Sequence, residues 1–303
     1  MFHPLIKKPI KLALIKLLLA TLKPIRHPVI IRNLFVRNYY RLRAKDDLIC
    51  KTILGNKMYI NVADQGIGHE LLYVSHREPF ITDFVQRTLK PNDVVLDIGA
   101  NIGYYVVLEA SLVGPQGFIY AVEPSEENCR LLKHNIDLNG FQNVEIHNHA
   151  MGSSDGTGSL HVTTKSNRHT MFINQDVNKR SSTLEVKDVI PVKVLKADTF
   201  LQGKKTPGTV RMDVEGYETE IIKGMTDVLG NPSLKRVIME THPHLMNRDD
   251  LHQMLKTLKK HGFEIEFFCD RRNILERQLK ELIDDDSYYA GGAKHIVFKS
   301  AGA

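Results

Sequence analysis

The stretch VVLDIGANIGYY, Val94 to Tyr105, decides the fold. Val94, Val95 and Leu96 form an apolar run of the kind that fills a buried parallel strand. Asp97 stands at its carboxyl end, Gly99 and Gly103 bracket a tight turn, and Asn101 is placed to cap the helix that follows. In a strand–turn–helix of this type, backbone N–H groups approach a ligand closely at the mouth of an α/β sheet. Beyond the turn, Glu123 ends a second apolar run, GFIYAVEP. An acid at that distance can accept hydrogen bonds from both hydroxyls of a ribose. The pattern describes a nucleoside site; the plainer reading, a βα turn with no ligand, leaves the spacing of Glu123 unexplained.

A nucleoside site does not yet name a chemistry. A dinucleotide fingerprint needs glycines spaced G-x-G-x-x-G/A, but the second and third positions counted from Gly99 are Asn101 and Tyr104. A ring at the third position blocks the helix–strand packing that a pyrophosphate turn requires. A P-loop would need Gly-Lys-Ser/Thr, which the chain lacks. The pattern D-x-G-x-N-x-G with a downstream acid instead resembles the first motif of class I S-adenosylmethionine (SAM) methyltransferases. LLKHNIDLNG (Leu131 to Gly140), HAMGSSDG (His149 to Gly156), VRMDVEGYE (Val210 to Glu218) and VIMETHP (Val237 to Pro243) follow in that order. Together these segments resemble the FkbM family of methyltransferases, from about Tyr73 to Ile296. Arg211 stands where that family usually has Lys, and Thr241 where it usually has Ile; the acids and the histidine are in place.

The resemblance implies an α/β, Rossmann-like class I fold with a seven-stranded, mostly parallel sheet, and SAM as cofactor. It implies a turn beneath the methionine made by Gly99, Asn101 and Gly103, with Asp97 facing the amino group, directly or through water. Glu123 would take the ribose hydroxyls and Ala150 would line the adenine. Glu78 matches an acid the family often carries before the helix that precedes the first sheet strand. The acceptor it implies is a hydroxyl on a sugar, glycolipid or polyketide-like molecule.

A sulfonium methyl needs a nucleophile in line with its S–CH₃ bond, and a hydroxyl nucleophile must lose its proton. Asp213 ends the strand expected beside the methyl, and Glu215 starts the next helix. Glu240 and His242 leave the end of the following strand, at the sheet edge where ligands bind. His242 ranks first as base, since its ordinary pKa is near neutrality; Asp213 ranks second, or orients the histidine or the hydroxyl. Asp213, Glu240, His242 and His244 are also hard donors that could collect Mg²⁺ or Mn²⁺, although no metal is assigned.

Charge and length set the surroundings. The chain has 303 residues, 42% apolar and 25% charged, enough for a large core and ordinary for a soluble protein. Cys50, Cys129 and Cys269 follow no metal spacing, which points to reduced thiols in the cytoplasm. The first 45 residues hold 11 Lys and Arg and no acid, whereas the whole chain is only +6. Within this segment Leu12, Ile15, Leu19 and Leu22 fall near one helical face, in a run too short to span a bilayer. A basic amphipathic helix here would either lie on an anionic membrane surface or pack on the catalytic domain. A grip on nucleic acid ranks below both, because no reader module or aromatic interleaving accompanies the charge. A nucleic-acid methyltransferase and a non-catalytic SAM-binding protein are the alternatives to a hydroxyl methyltransferase. The first lacks an N-P-P-Y/F tetrapeptide; the second leaves Asp213, Glu240 and His242 without purpose.

The expected organisation is a basic segment over 1–45, a cap over 46–77 and a catalytic core over 78–303. Ile53 to Val62, around Gly55–Asn56, reads as a hairpin, and Pro79 to Leu89 as a helix. Strands are expected at 94–98, 117–122, 143–148, 209–213, 235–240, 263–269 and 294–299, with helices at 102–112, 125–139, 216–229 and 248–261. Residues 157–164 and 185–196 alternate as half-buried antiparallel strands do, with a polar, basic loop between them.

Overall fold

The structure, a computed structural model, describes residues 39–40, 42–171, 185–270, 273–289 and 292–302. The basic stretch expected over 1–45 therefore lies outside the described residues up to 38, as does most of the loop before 185. Two compact units divide the chain at Arg77 and Glu78.

The first unit holds the hairpin, built from β1 (Leu48–Ile53) and β2 (Asn56–Asn61). It begins earlier than the sequence suggested, because the turn is Leu54–Gly55, both at positive φ, and Asn56 already pairs with Ile53. A helix follows at Ile67–Tyr73. The Lys51 ammonium donates to the Leu71 and Leu72 carbonyls at 2.6 and 3.0 Å, satisfying acceptors that a helix end leaves open.

The second unit is a layered α/β domain. After a helix at Pro79–Thr88 its strands are β3 (Val94–Ile98), β4 (Phe118–Val122), β5 (Val144–His147), β6 (Ala150–Met151), β7 (Gly156–Thr163), β8 (Val186–Leu195), β9 (Thr209–Met212), β10 (Arg236–Thr241), β11 (Phe263–Cys269), β12 (Ile274–Leu275) and β13 (Lys294–Ser300). The main sheet runs β12-β11-β13-β10-β9-β3-β4-β5. β10, β9, β3, β4 and β5 are parallel; β13 is antiparallel to both β10 and β11. The sheet thus has eight strands rather than seven, the addition being two-residue β12, which folds back on β11 at the edge. The order reverses between β3 and β9, and a crevice opens outside their carboxyl ends at such a switch point. The strands between helices are near-continuous apolar runs: Val95, Leu96, Ile119, Ala121, Val122, Val210, Met212 and Val237 are all buried.

β6, β8 and β7 form a separate three-stranded sheet, with its own apolar cluster of Ala150, Leu160, Val192 and Val194. The helix expected over 216–229 is two helices, Glu218–Lys223 and Thr226–Gly230. The break falls at Gly224, where a Cβ would lie 2.0 Å from the Gly152 carbonyl oxygen, so the chain passes too close for any side chain. Among the described residues, no helix is long and apolar enough to cross a membrane.

Candidate active site

The turn after β3 is shaped by a contact across the switch point. Gly99 has φ +81°, and a Cβ there would stand 2.1 Å from the Asp213 carbonyl oxygen at the end of β9. Asn101, at φ +51°, donates its backbone N–H to Glu123 Oε2 at 2.8 Å. Its side-chain oxygen accepts from the Ile102 N–H at 2.8 Å, so Asn101 stabilises the turn and does not cap the helix, whose N-cap is Gly103. Glu123, 4% exposed, also accepts from the Ser125 N–H at 2.9 Å and Asn128 Nδ2 at 3.3 Å. Burial pushes its carboxyl up to about 7 against the pull of those donors. Ligand hydroxyls donating to it would restore the ionised form. A close-passing turn beside a buried carboxylate fits a nucleoside.

Asp97 is fully buried. Arg211 Nη1 donates to its Oδ1 at 2.8 Å, while among the described residues Oδ2 has no hydrogen-bond partner. Burial raises the Asp97 carboxyl and Arg211 draws it back. The Arg211 guanidinium lies 3.7 Å from the centre of the Tyr105 ring, and its Nη2 is 3.7 Å from Asp213 Oδ2. Arg211, a minor departure by sequence, therefore joins the acid of the cofactor motif to the acid of the D-V-E-G block. Asp97 is committed to this pair through Oδ1, and only its second oxygen is left for a ligand amino group.

At the carboxyl ends of β9 and β10 the structure brings together Asp213, Glu215, Glu240 and His242. His242 is buried; its Nδ1 lies 3.0 Å from Glu218 Oε1, and its Nε2 lies 3.5 Å from Glu215 and 3.9 Å from Glu240. Burial alone would lower its pKa, but Glu215, Glu218 and Glu240 override it and hold the imidazole well above its ordinary value. Asp213 is pushed up to about 7 by burial and the neighbouring Glu240, against Arg211. Glu215 is also pushed up to about 7 by burial, against the pull of His242. The surroundings therefore favour the protonated form of His242, the residue ranked first as base from the sequence, and raise the carboxyl of Asp213, ranked second, to about 7.

Glu78 and His295 complete the surroundings. Glu78 is the N-cap of the helix Pro79–Thr88 and accepts from the Tyr105 hydroxyl at 2.7 Å. His295 stands opposite Glu240 across β10 and β13, 4.0 Å between Nε2 and Oε1. Donor atoms of Asp213, Glu215 and His242 lie within 4.8 Å of one another, and so do those of Glu78, Glu240 and His295. Either group could hold a hard divalent ion. His244 is exposed and belongs to neither, so the metal set drawn from sequence is divided differently. Ala150 is buried in the small-sheet cluster. Sequence reasoning passed over Glu218, although it closes the same D-V-E-G-x-E segment. It also missed His295, which no local motif marks.

A short stretch spans the two halves of the site. The Ser166 carbonyl accepts from Asn101 Nδ2 at 2.9 Å and Asn128 Nδ2 at 3.4 Å, and the Thr170 hydroxyl donates to the Glu215 carbonyl at 2.9 Å.

Comparison with known proteins adds the following. Residues 97–265 match the model of the methyltransferase FkbM domain. The chain is 25% identical over 160 residues to the hexuronic acid methyltransferase AglP of Haloferax volcanii, covering 52% of this chain and 59% of that protein. It is 25% identical over 209 residues to a protein-L-isoaspartate O-methyltransferase of Thermotoga maritima, covering 65% and 58%. The chain thus spans less than two thirds of the length of these curated relatives. Among solved structures, a methyltransferase FkbM from Methylobacillus flagellatus aligns with TM-score 0.40 and 13% identity, covering 77% of this chain and 55% of that one.

Proposed function

Because this chain belongs to the FkbM family of methyltransferases, we propose that it transfers the methyl group of SAM to a hydroxyl oxygen of a sugar-type acceptor. The observation that carries the reading is the proton-handling array of Asp213, Glu215, Glu218 and His242 at the switch point of the sheet. A carboxylate acceptor would bring no proton and need no such array; a hydroxyl needs one. The sugar class is supported by the similarity to a protein named as a hexuronic acid methyltransferase.

Glu123, the turn from Gly99 to Gly103 and the second oxygen of Asp97 would hold the cofactor. When bound, SAM would supply an electrophilic methyl, the electron pair of its S–C bond staying on sulfur as the acceptor's O–C bond forms. Asp213 takes the hydroxyl proton. His242 remains an imidazolium, held by Glu218 on one nitrogen and facing Glu215 and Glu240 with the other. It thereby compensates part of the carboxylate charge and keeps Asp213 ionisable near neutrality. The basic segment over 1–45 supports, by its charge pattern alone, delivery to an acceptor on an anionic membrane surface.

The test uses the full-length protein, methyl-labelled SAM and an extract of glycans and glycolipids from the source organism. Label should enter a product and resist mild alkali, as an ether does. Release as methanol would mean an ester and overturn the reading, as would no transfer at all. Asp213→Asn should lower turnover by roughly 10²–10⁴, with SAM affinity by calorimetry changed less than threefold.

A further inference from the structure

We infer that the stretch Lys165–Thr170 is a strap that couples the cofactor turn to Glu215, with Asn128 and Thr170 as its positioning residues. The inference rests on the SAM reading above and adds how the two halves of that site communicate.

At the cofactor end the strap closes a ring of hydrogen bonds. Glu123 accepts from the Asn101 N–H through Oε2 at 2.8 Å and from Asn128 Nδ2 through Oε1 at 3.3 Å. The side-chain amides of the same two asparagines donate to the Ser166 carbonyl, at 2.9 Å from Asn101 and 3.4 Å from Asn128. Each asparagine therefore joins the buried carboxylate to the strap, and Asn128 does so from a side chain that is itself buried. A carboxylate held on both oxygens within a low-dielectric network keeps one orientation, the one it would offer to ribose hydroxyls.

At the other end the buried Thr170 donates its hydroxyl to the Glu215 carbonyl at 2.9 Å. Glu215 has φ +52°, a left-handed backbone that a residue with a side chain keeps only where its surroundings hold it. Its carboxylate lies 3.5 Å from His242 Nε2. Thr170 thus helps to fix the backbone from which that carboxylate projects.

Little slack separates the two ends. Ser166–Arg168 is a single 3-10 turn, with the Arg168 N–H donating to the Lys165 carbonyl at 3.0 Å. The Lys165 carbonyl also accepts from the Thr163 hydroxyl at 2.8 Å. Thr170 and His161 exchange both backbone hydrogen bonds, at 2.9 and 3.2 Å. Ser166 and Thr170 are four positions apart on a stretch braced in this way, so a shift at one is felt at the other. Cofactor on Glu123 firms the ring, the ring fixes the strap, and the strap fixes Glu215. Such coupling is reciprocal: a loosened anchor at Glu215 weakens SAM binding.

The test uses the full-length protein and SAM alone. By calorimetry Thr170→Val should bind SAM roughly fivefold more weakly, although the hydroxyl it loses bonds Glu215 and not the cofactor turn. Thr170→Ser keeps the hydroxyl and should restore affinity to within about twofold, which a purely steric role would not do. Asn128→Ala should weaken binding about tenfold. Asn101→Gly keeps the N–H and the left-handed backbone but frees the Ser166 carbonyl from one donor. Combined with Thr170→Val it should cost less than the product of the two single effects, since both break one connection; fully independent effects would overturn the inference. Hydrogen exchange on the unaltered protein needs no variant to fold. SAM should slow the amides of 165–170 by about threefold or more, and equal exchange with and without SAM would overturn the strap. Failure of the cofactor reading looks different: the unaltered protein then gives no SAM binding at all. Binding that Glu123→Ala weakens and Thr170→Val leaves alone overturns only the strap.

Discussion

Glu123 accepts from three protein donors at once, and each of them belongs to the cofactor turn or to the start of the next helix. Its replacement would therefore remove the acceptor proposed for ribose and leave the Asn101 and Ser125 N–H groups unmet. Two charge-assisted hydrogen bonds to ribose are worth about 1.5–3 kcal/mol each. Glu123→Ala should accordingly weaken SAM binding at least tenfold by calorimetry, with Glu123→Gln intermediate; an unchanged affinity would remove Glu123 from the site. The place of Glu123 beside the turn was legible in the sequence because it follows from a fixed distance along a βα unit. Arg211 was not, because its meaning depends on Asp97, 114 positions away in the chain and adjacent only after β9 has docked beside β3. His295 was hidden for the same reason, its partner Glu240 being set by strand register.

Strands were easier to read than helices. The apolar runs that became β3, β4, β9, β10 and β13 are largely buried in the sheet, and such burial writes itself into composition. Edge strand β12 has two residues, Ile274 and Leu275, both exposed, and leaves no such trace. The helix over 216–229 was read as continuous because its apolar spacing suits a helix throughout; what divides it is the passing Gly152 carbonyl. That clash is testable. Gly224→Ala should destabilise the fold by about 1–3 kcal/mol in urea unfolding, the usual range for overpacking. Gly230→Ala, with nothing within 4 Å of the added Cβ, should change stability by no more than about 1 kcal/mol. Equal effects at the two positions would refute the contact with Gly152 as the cause of the break.

For the molecule as a whole, the buried acids set an unusual dependence of stability on pH. Glu123, Asp213 and Glu215 are each pushed up to about 7 in the folded chain, against roughly 4 when unfolded. Between those values the folded state binds more protons than the unfolded state, so stability falls as pH rises through the window. His242 acts in the same direction. Its folded value is raised, so its contribution is complete below about 6.5 and is lost as pH climbs through the folded value. Together they should amount to a few kcal/mol. The ligand-free protein should melt several degrees higher at pH 5.5 than at pH 8. Saturating SAM should flatten the difference by favouring ionised Glu123. A melting temperature that climbs steadily to pH 8 would show that these acids ionise in the fold as freely as in water.

The 2.1 Å that separates a Cβ on residue 99 from the Asp213 carbonyl has a bearing on recombination between relatives. The turn after β3 and the acid that follows β9 are encoded more than a hundred codons apart, yet they form one moulded surface with no slack between its halves. A chimera with its crossover anywhere between these two positions joins two castings made from different moulds, whereas one with both crossovers outside them inherits the seam intact. The unit to transplant, in changing what this scaffold methylates, is the pair of strand ends together and not the loop that carries the signature.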